Sequence, residues 1–265
     1  MIERLPTLVT RVGHAEHGDN RFRGHGVHDE LTGALPYWSL ISLAVGHRIM
    51  TTDECATLDA LSVAACAADP RIWPLKAVRL GSAYGSATVG LCAGMLVTDG
   101  VHGPRMSTAS AEILLAVRTA VGVDGTDDGL ERALEPHFAV RVRPIPGFGV
   151  AARGVDERVL AFDDWCTHNA RVRGPYWRLM RRIEEIAVRR RRTPVNISGA
   201  VAAVLLDVGF APAQVHLPAM FTVMQNFVAN AAEGASEAPT ILRELPATVV
   251  TYVGVPARKS PRAGS

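Results

Sequence analysis

Apolar residues recur at helical spacing along most of the chain, and period-two alternation is rare. The stretch "PYWSLISLAVGHRIM" (36–50) opens with Pro36 in a first-turn position. Thr51 and Glu54 have the spacing of a capping box, in which a hydroxyl and a carboxylate satisfy free N–H groups at a helix start. The helix that follows is expected to run to about Ala68, before Pro70. Residues 74–98 are apolar and carry Gly81, Ser82, Gly85, Ser86, Gly90 and Gly94, small residues that let two helices approach closely. After the loop "TDGVHGPR" (98–105) a helix is expected at 107–121, then a turn-rich patch at 122–128 and a short helix ending near His137. A proline–glycine loop, "RVRPIPGFGVAARG" (141–154), precedes helices at about 155–170, 175–190, 195–208 and 214–232. From Gly234 the chain reads as irregular, with a short strand expected at 248–253. The fold class is all-α, with no repeat of 20–50 residues.

A chain of 265 residues makes one large domain, or a main domain with a smaller second one. Its 48% hydrophobic content suffices for a sizeable core. A net charge of +2 argues against a general nucleic-acid binder. Lys76 and Lys259 are the lysines; every other basic residue is arginine, so arginine clusters carry little functional weight. Cys55, Cys66, Cys92 and Cys166 lie in apolar stretches without CxxC spacing and read as free thiols of a reducing compartment. The N-terminal "MIERLPTLVTRVGH" lacks a long apolar run, and no stretch reaches the roughly 20 apolar residues of a membrane span. A soluble, cytoplasmic protein with no membrane and no nucleic-acid partner is expected.

His25 and His28 sit in "RFRGHGVHDELTG" (21–33) at a spacing that could suggest a metal pair. No third ligand clusters with them, so the segment reads as a structural turn leading into the first helix, and no metal is expected.

Five stretches, in order, resemble the citrate synthase family, and the short citryl-CoA lyase type within it. They are "RFRGHGVHDELTG", "ISLAVGHRIMTTDE", "DGVHGPR", "PIPGFGVAARGVDER" and "PVNISGAVAAVLLDVGFAP", which together cover about Arg21 to Pro212. A weaker likeness adds "MFTVMQNFVANAAE" and "TYVGVPARK". The resemblance implies a large helical domain (1–106 and 227–265) holding a smaller one (107–226), a cleft between them as active site, and a homodimer. It implies a coenzyme A thioester as substrate, a small organic acid or ketone as partner, and no tightly bound cofactor.

The family reaction makes or breaks a carbon–carbon bond beside the thioester. A carboxylate removes the α-proton, one histidine hydrogen-bonds the developing enolate oxygen, and a second polarises the partner's carbonyl. Arginines grip the partner's carboxylates. His102 matches the first histidine, although the family's HGG becomes His102-Gly103-Pro104 with Arg105 next, a proline that removes a backbone donor and stiffens the loop. The second histidine is replaced by Val150, the arginine after it by Ala151, and the catalytic aspartate by Ser198. A further family histidine falls near Pro70, an arginine falls on Gln225, and the "ELPA" of 244–247 lacks another. Asp207 is half a helical turn out of phase with Ser198, leaving Asp156 and Glu157 as open candidates for a replacement base.

The loop Pro146-Gly147-Phe148-Gly149 is intact, and the family brings its backbone to the adenine end of CoA. The run Arg189–Arg192 is a further candidate for CoA phosphates, or a solvated helix end. The site residues expected are therefore His102 and Ser198 for chemistry, Pro146, Gly147, Phe148 and Gly149 for CoA, and Arg105, Val150 and Gln225 beside the partner substrate. The reading is a divergent acyl-CoA enzyme with a less acidic partner than oxaloacetate. The alternatives are a non-catalytic CoA-binding subunit, forming a heteromer with an active paralogue, and an ordinary citryl-CoA lyase or citrate synthase.

Overall fold

The computed structural model describes residues 8–101, 103–139, 144–150, 154–171, 173–237, 246–249 and 251–256. The described chain enters through a small antiparallel sheet of β1 (Gly13–Glu16), β2 (Asp19–Phe22) and β3 (His25–Gly26), in that spatial order. The helical periodicity gave no hint of it. These strands are short and largely exposed, so no half-buried alternation marks them. Their signal lies in the turns. Gly18 has φ 80°, and Arg23 and Gly24 have φ 53° and 91°, the signs of a type I′ hairpin turn. A π-helical turn, Val27–Leu31, follows. His25 Nδ1 contacts the Glu30 carboxylate, whereas His28 Nε2 lies 3.4 Å from the Asn20 amide, so the two rings serve different local partners.

The helices are α1 (Tyr37–Gly46), α2 (Thr52–Ala64), α3 (Trp73–Tyr84), α4 (Ala87–Val101), α5 (Pro104–Val121), α6 (Asp127–Ala139), α7 (Glu157–His168), α8 (Pro175–Arg191), α9 (Ile197–Asp207), α10 (His216–Phe221) and α11 (Met224–Ser236). The capping box forms as expected: Glu54 N donates to Thr51 Oγ1 at 3.2 Å, and Thr51 N donates to the Glu54 carboxylate at 2.8 Å. Helix α2 stops at Ala64, short of the expected Ala68. Pro104 takes the first position of α5, where a missing N–H costs nothing, so it starts the helix rather than only stiffening the loop. The helix expected at 214–232 is two. Thr222 Oγ1 donates back to Ala219 O, and Val223 leaves helical geometry at φ −118°, ψ 0°. The strand expected at 248–253 is not found among the described residues, where Ala247–Val249 form a 3₁₀ turn and the strands are those of the 13–26 sheet.

Helix α9 is the centre of the packing. Gly199 to Leu206 are all buried, against α5 on one side and α8 on the other. Leu58, Leu114, Leu134, Phe162 and Ile183 close the main core around it, each such burial contributing about 1.5–3 kcal/mol. A second cluster, Leu75, Val78, Met220, Phe227 and Ala231, lies under α3, α4 and α11. There the small residues do what their spacing implies: a Cβ on Gly81 would stand 3.0 Å from Gly90 Cα. The outer side of this group stays apolar, with Tyr84, Val89, Met95, Val228 and Leu96 (77% exposed) at the surface.

Candidate functional site

The Pro146–Gly149 segment is a tight turn clamped to the start of α9. Gly149 N donates to Pro194 O at 2.6 Å, Asn196 N to Gly147 O at 2.9 Å, and Asn196 Nδ2 to Gly149 O at 2.9 Å. Phe148 and Val195 form an antiparallel bridge. Gly147 and Gly149 have φ 86° and 96°, in the left-handed region that favours glycine. The Phe148 side chain is a core residue, so any ligand contact at this position falls to the backbone. Pro146, Gly149 and Val150 are partly exposed beside it.

Ser198 is the second residue of α9. Asn196 caps the helix, its Oδ1 accepting from Ser198 N at 3.0 Å and Gly199 N at 3.3 Å. The Ile197 N–H goes to Asp156 Oδ2 at 2.9 Å. Asp156 is 5% exposed and also accepts from Arg158 N, Nε and Nη2 at 3.1, 2.9 and 2.7 Å. Burial pushes its carboxyl up, but the Arg158 hydrogen bonds and charge and the Ile197 N–H more than offset this, leaving it below the ordinary value. Asp156 is thus spent on capping α7 and bracing α9. A group so stabilised as carboxylate is a poor proton acceptor, which removes it as a replacement base.

His102 lies outside the described residues, as does Ala151. Arg105 is exposed at the start of α5, 3.5 Å from Asp99 in α4. The same Asp99 lies 2.9 Å from His216 Nε2 at the head of α10, at ion-pair distance but without hydrogen-bond alignment. Gln225 Nε2 donates to Ser62 O at 2.7 Å and to Thr222 O at 3.0 Å, tying α11 to α2. Of the arginine run, Arg189 pairs with Glu131, Arg190 with Glu135 and the face of Phe138, and Arg191 with Phe138 O. Arg192 caps α8 in left-handed geometry and is exposed. Asp207, at the other end of α9, accepts from Tyr176 N at 2.8 Å and Trp177 N at 2.9 Å, capping α8. Burial raises its carboxyl against those two donors.

The structure therefore brings Pro146, Gly147, Gly149 and Ser198 into one unit, and it gives Gln225 a packing duty. Sequence reading missed the capping roles of Asp156 and Asp207. For Asp156 the only local signal was its position just ahead of a helical stretch.

No protein-family model matches the sequence, and no curated protein matches it. Solved structures do. Citryl-CoA lyase from Hydrogenobacter thermophilus is 22% identical, with a TM-score of 0.80 over 97% of this chain and 99% of that one. ATP citrate lyase from Methanothrix soehngenii, solved with citrate and coenzyme A, is 14% identical, with a TM-score of 0.74 over all of this chain and 44% of that one. Citrate synthase from Thermoplasma acidophilum, solved with carboxymethyl coenzyme A and oxaloacetate, is 15% identical, with a TM-score of 0.60 over 88% of this chain and 59% of that one. The chain has the helical fold that citryl-CoA lyase, ATP citrate lyase and citrate synthase share.

Proposed function

We propose that the protein is a citrate synthase-like enzyme that makes or breaks a carbon–carbon bond next to a coenzyme A thioester, with a partner less acidic than oxaloacetate. The observation that carries this reading is the clamped unit of the Pro146–Gly149 turn and the head of α9, which sets backbone groups beside Ser198. CoA binds along the turn through its backbone, and His102 stabilises the enolate oxygen. Ser198 supplies a hydroxyl where the family has a carboxylate, and Val150 an aliphatic wall where it has a histidine. Gln225 presents a neutral amide already committed to helix carbonyls, in place of an arginine. A dicarboxylate would meet no matching charge from these positions, whereas a ketone or monoacid loses less. Arg105 stands at the rim. The site lies between a large domain (1–106 and 227–265) and a small one (107–226), with both boundaries inside helices, α5 and α11.

The test is turnover of an acyl-CoA panel, read as α-deuterium exchange and CoA release. His102→Ala is expected to lower the rate about 10²-fold, the cost of one oxyanion donor. No turnover above that variant would remove the catalytic reading. A CoA-dependent rise in melting temperature without turnover would then favour the second reading, a CoA-binding subunit of an active paralogue, which the losses at Ser198, Val150 and Gln225 support.

The same proposal includes a homodimer through α3, α4 and α11, on which Tyr84, Val89, Met95, Leu96 and Val228 are exposed. Leu96→Glu is expected to shift the protein from dimer to monomer in light scattering. A monomeric parent protein would count against the homodimer and leave the paralogue heteromer.

A further inference from the structure

A cavity of about 310 Å³ opens between α2 and the α7–α8 connection, over the C-terminal end of α9. Along α9 it lies about 13 Å from Ser198, at 1.5 Å per residue. We propose that it binds a small monocarboxylic acid with an apolar body, the carboxylate on Arg171 and the body against Phe162, Trp177, Val204 and Val208. This site is separate from the CoA unit and does not rest on it.

Its floor is formed by the buried side chains of Phe162, Trp177, Val204 and Val208, whose one polar atom is the unpartnered Trp177 Nε1. Its volume sits at the lower end of the small-molecule range, about 300–1,000 Å³. The charges around the rim decide the ligand. Glu54 is saturated by Arg48, at 3.1 and 3.0 Å, and by Thr51 N. Both oxygens of Asp207 are taken by the α8 N–H groups. Arg173 is held by Asp163 and Thr167. Arg171 differs. Its Nη1 meets Asp53 at 2.5 Å, but the Asp53 side chain is 77% exposed, and its Nε is buried with no hydrogen-bond partner.

Such an exposed pair is weak and exchangeable, whereas a buried unpaired donor favours any acceptor that reaches it. Nη1 lies on the Cδ side of the guanidinium, so a ligand carboxylate takes the other edge, the unused Nε with Nη2, the fork geometry that guanidinium suits and that Arg158 shows on Asp156, while Asp53 stays on Nη1. The guanidinium is already placed for this. Just past the end of α7, Ala170 takes the left-handed region (φ 50°), Arg171 N donates to Cys166 O at 2.8 Å, and the guanidinium carbon lies 5.7 Å from the centre of the Trp165 ring.

The test titrates the full chain with isovalerate, isoamyl alcohol and acetate, by saturation-transfer NMR and thermal shift. Isovalerate is expected to bind, and the alcohol and acetate at least about tenfold more weakly, since each lacks one half of the recognition. Arg171→Gln should weaken isovalerate about tenfold, and Asp53→Asn, a substitution at an exposed side chain that leaves folding intact, should tighten it about threefold by removing the negative charge that competes for the guanidinium. Ser198→Ala should leave isovalerate binding unchanged. Equal binding of alcohol and acid, no tightening in Asp53→Asn, or loss of binding in Ser198→Ala (which would move the acid to the CoA unit) overturns the proposal.

Discussion

Gly147→Ala is expected to lower the stability of the protein by about 3 kcal/mol, combining a left-handed backbone term of about 1–2 kcal/mol with overpacking of about 1–3 kcal/mol. The added Cβ would fall within contact of Ser110 Oγ and stand 2.9 Å from Gly199 Cα, at φ 86°. Neither neighbour can yield cheaply. Ser110 is fully buried in α5, and Gly199 is backbone in the first turn of α9. Gly18→Ala is the control. It shares a positive φ (80°) but its Cβ would meet nothing within 4 Å, so it should cost only the backbone term, about 1 kcal/mol. The difference between the two urea midpoints, taken with their slopes, measures the close approach alone. Equal losses would mean that the turn moves freely against α9, and the clamped unit at the heart of the CoA reading would go with it.

Asp156→Ala is expected to cost about 3 kcal/mol, combining an unpaired buried N–H, about 1–3 kcal/mol, with loss of the α7 cap, about 1 kcal/mol. It strands the Ile197 N–H at the head of α9, whereas the Arg158 side chain, 36% exposed, turns to water. Asp156→Asn keeps the shape and an acceptor and should cost about 1–3 kcal/mol. The pH dependence fixes the cause. The folded-state value of Asp156 is lowered from 3.8. Its stabilising contribution is therefore complete above about pH 4 and lost as pH falls through the folded value, so the gap between parent and Asp156→Asn should close on acidification. Asp207 works with the opposite sign. Its folded value is raised from 3.8, so its contribution declines as pH rises from 3.8 through that higher value. Chemical denaturation of parent and variant between acid and neutral pH tests both. A gap that stays constant into acid would mean that Asp156 is not held as a carboxylate.

Much of the fold was legible in the sequence. Local rules sufficed for the capping box at Thr51 and Glu54, the closely packed pair α3–α4 and the run of helices from α5 to α9. The ordered stretches from Arg21 to Pro212 pointed to the citrate synthase-like fold that the structural neighbours share. Local rules failed where the deciding partner is distant or the signal is backbone-borne. The sheet at 13–26 is specified by turns such as Arg23–Gly24, not by side-chain alternation. The break after Phe221 depends on Thr222 bonding back to Ala219.

At the site the same division holds. The glycine turn and the side chains of Val150, Ser198 and Gln225 are written in the chain itself. What each residue is free to do is not. Asp156, an open candidate for a base, is occupied by Arg158 and the head of α9. Most of the arginine run is taken up by α6, and Phe148 is core. Sequence alone determined which elements form and which chemical groups were available, because helix periodicity, caps and turns are short-range effects. Only the tertiary structure decided which of those groups remain unspent, because a carboxylate or guanidinium answers to whichever donor or acceptor folding brings within about 3 Å.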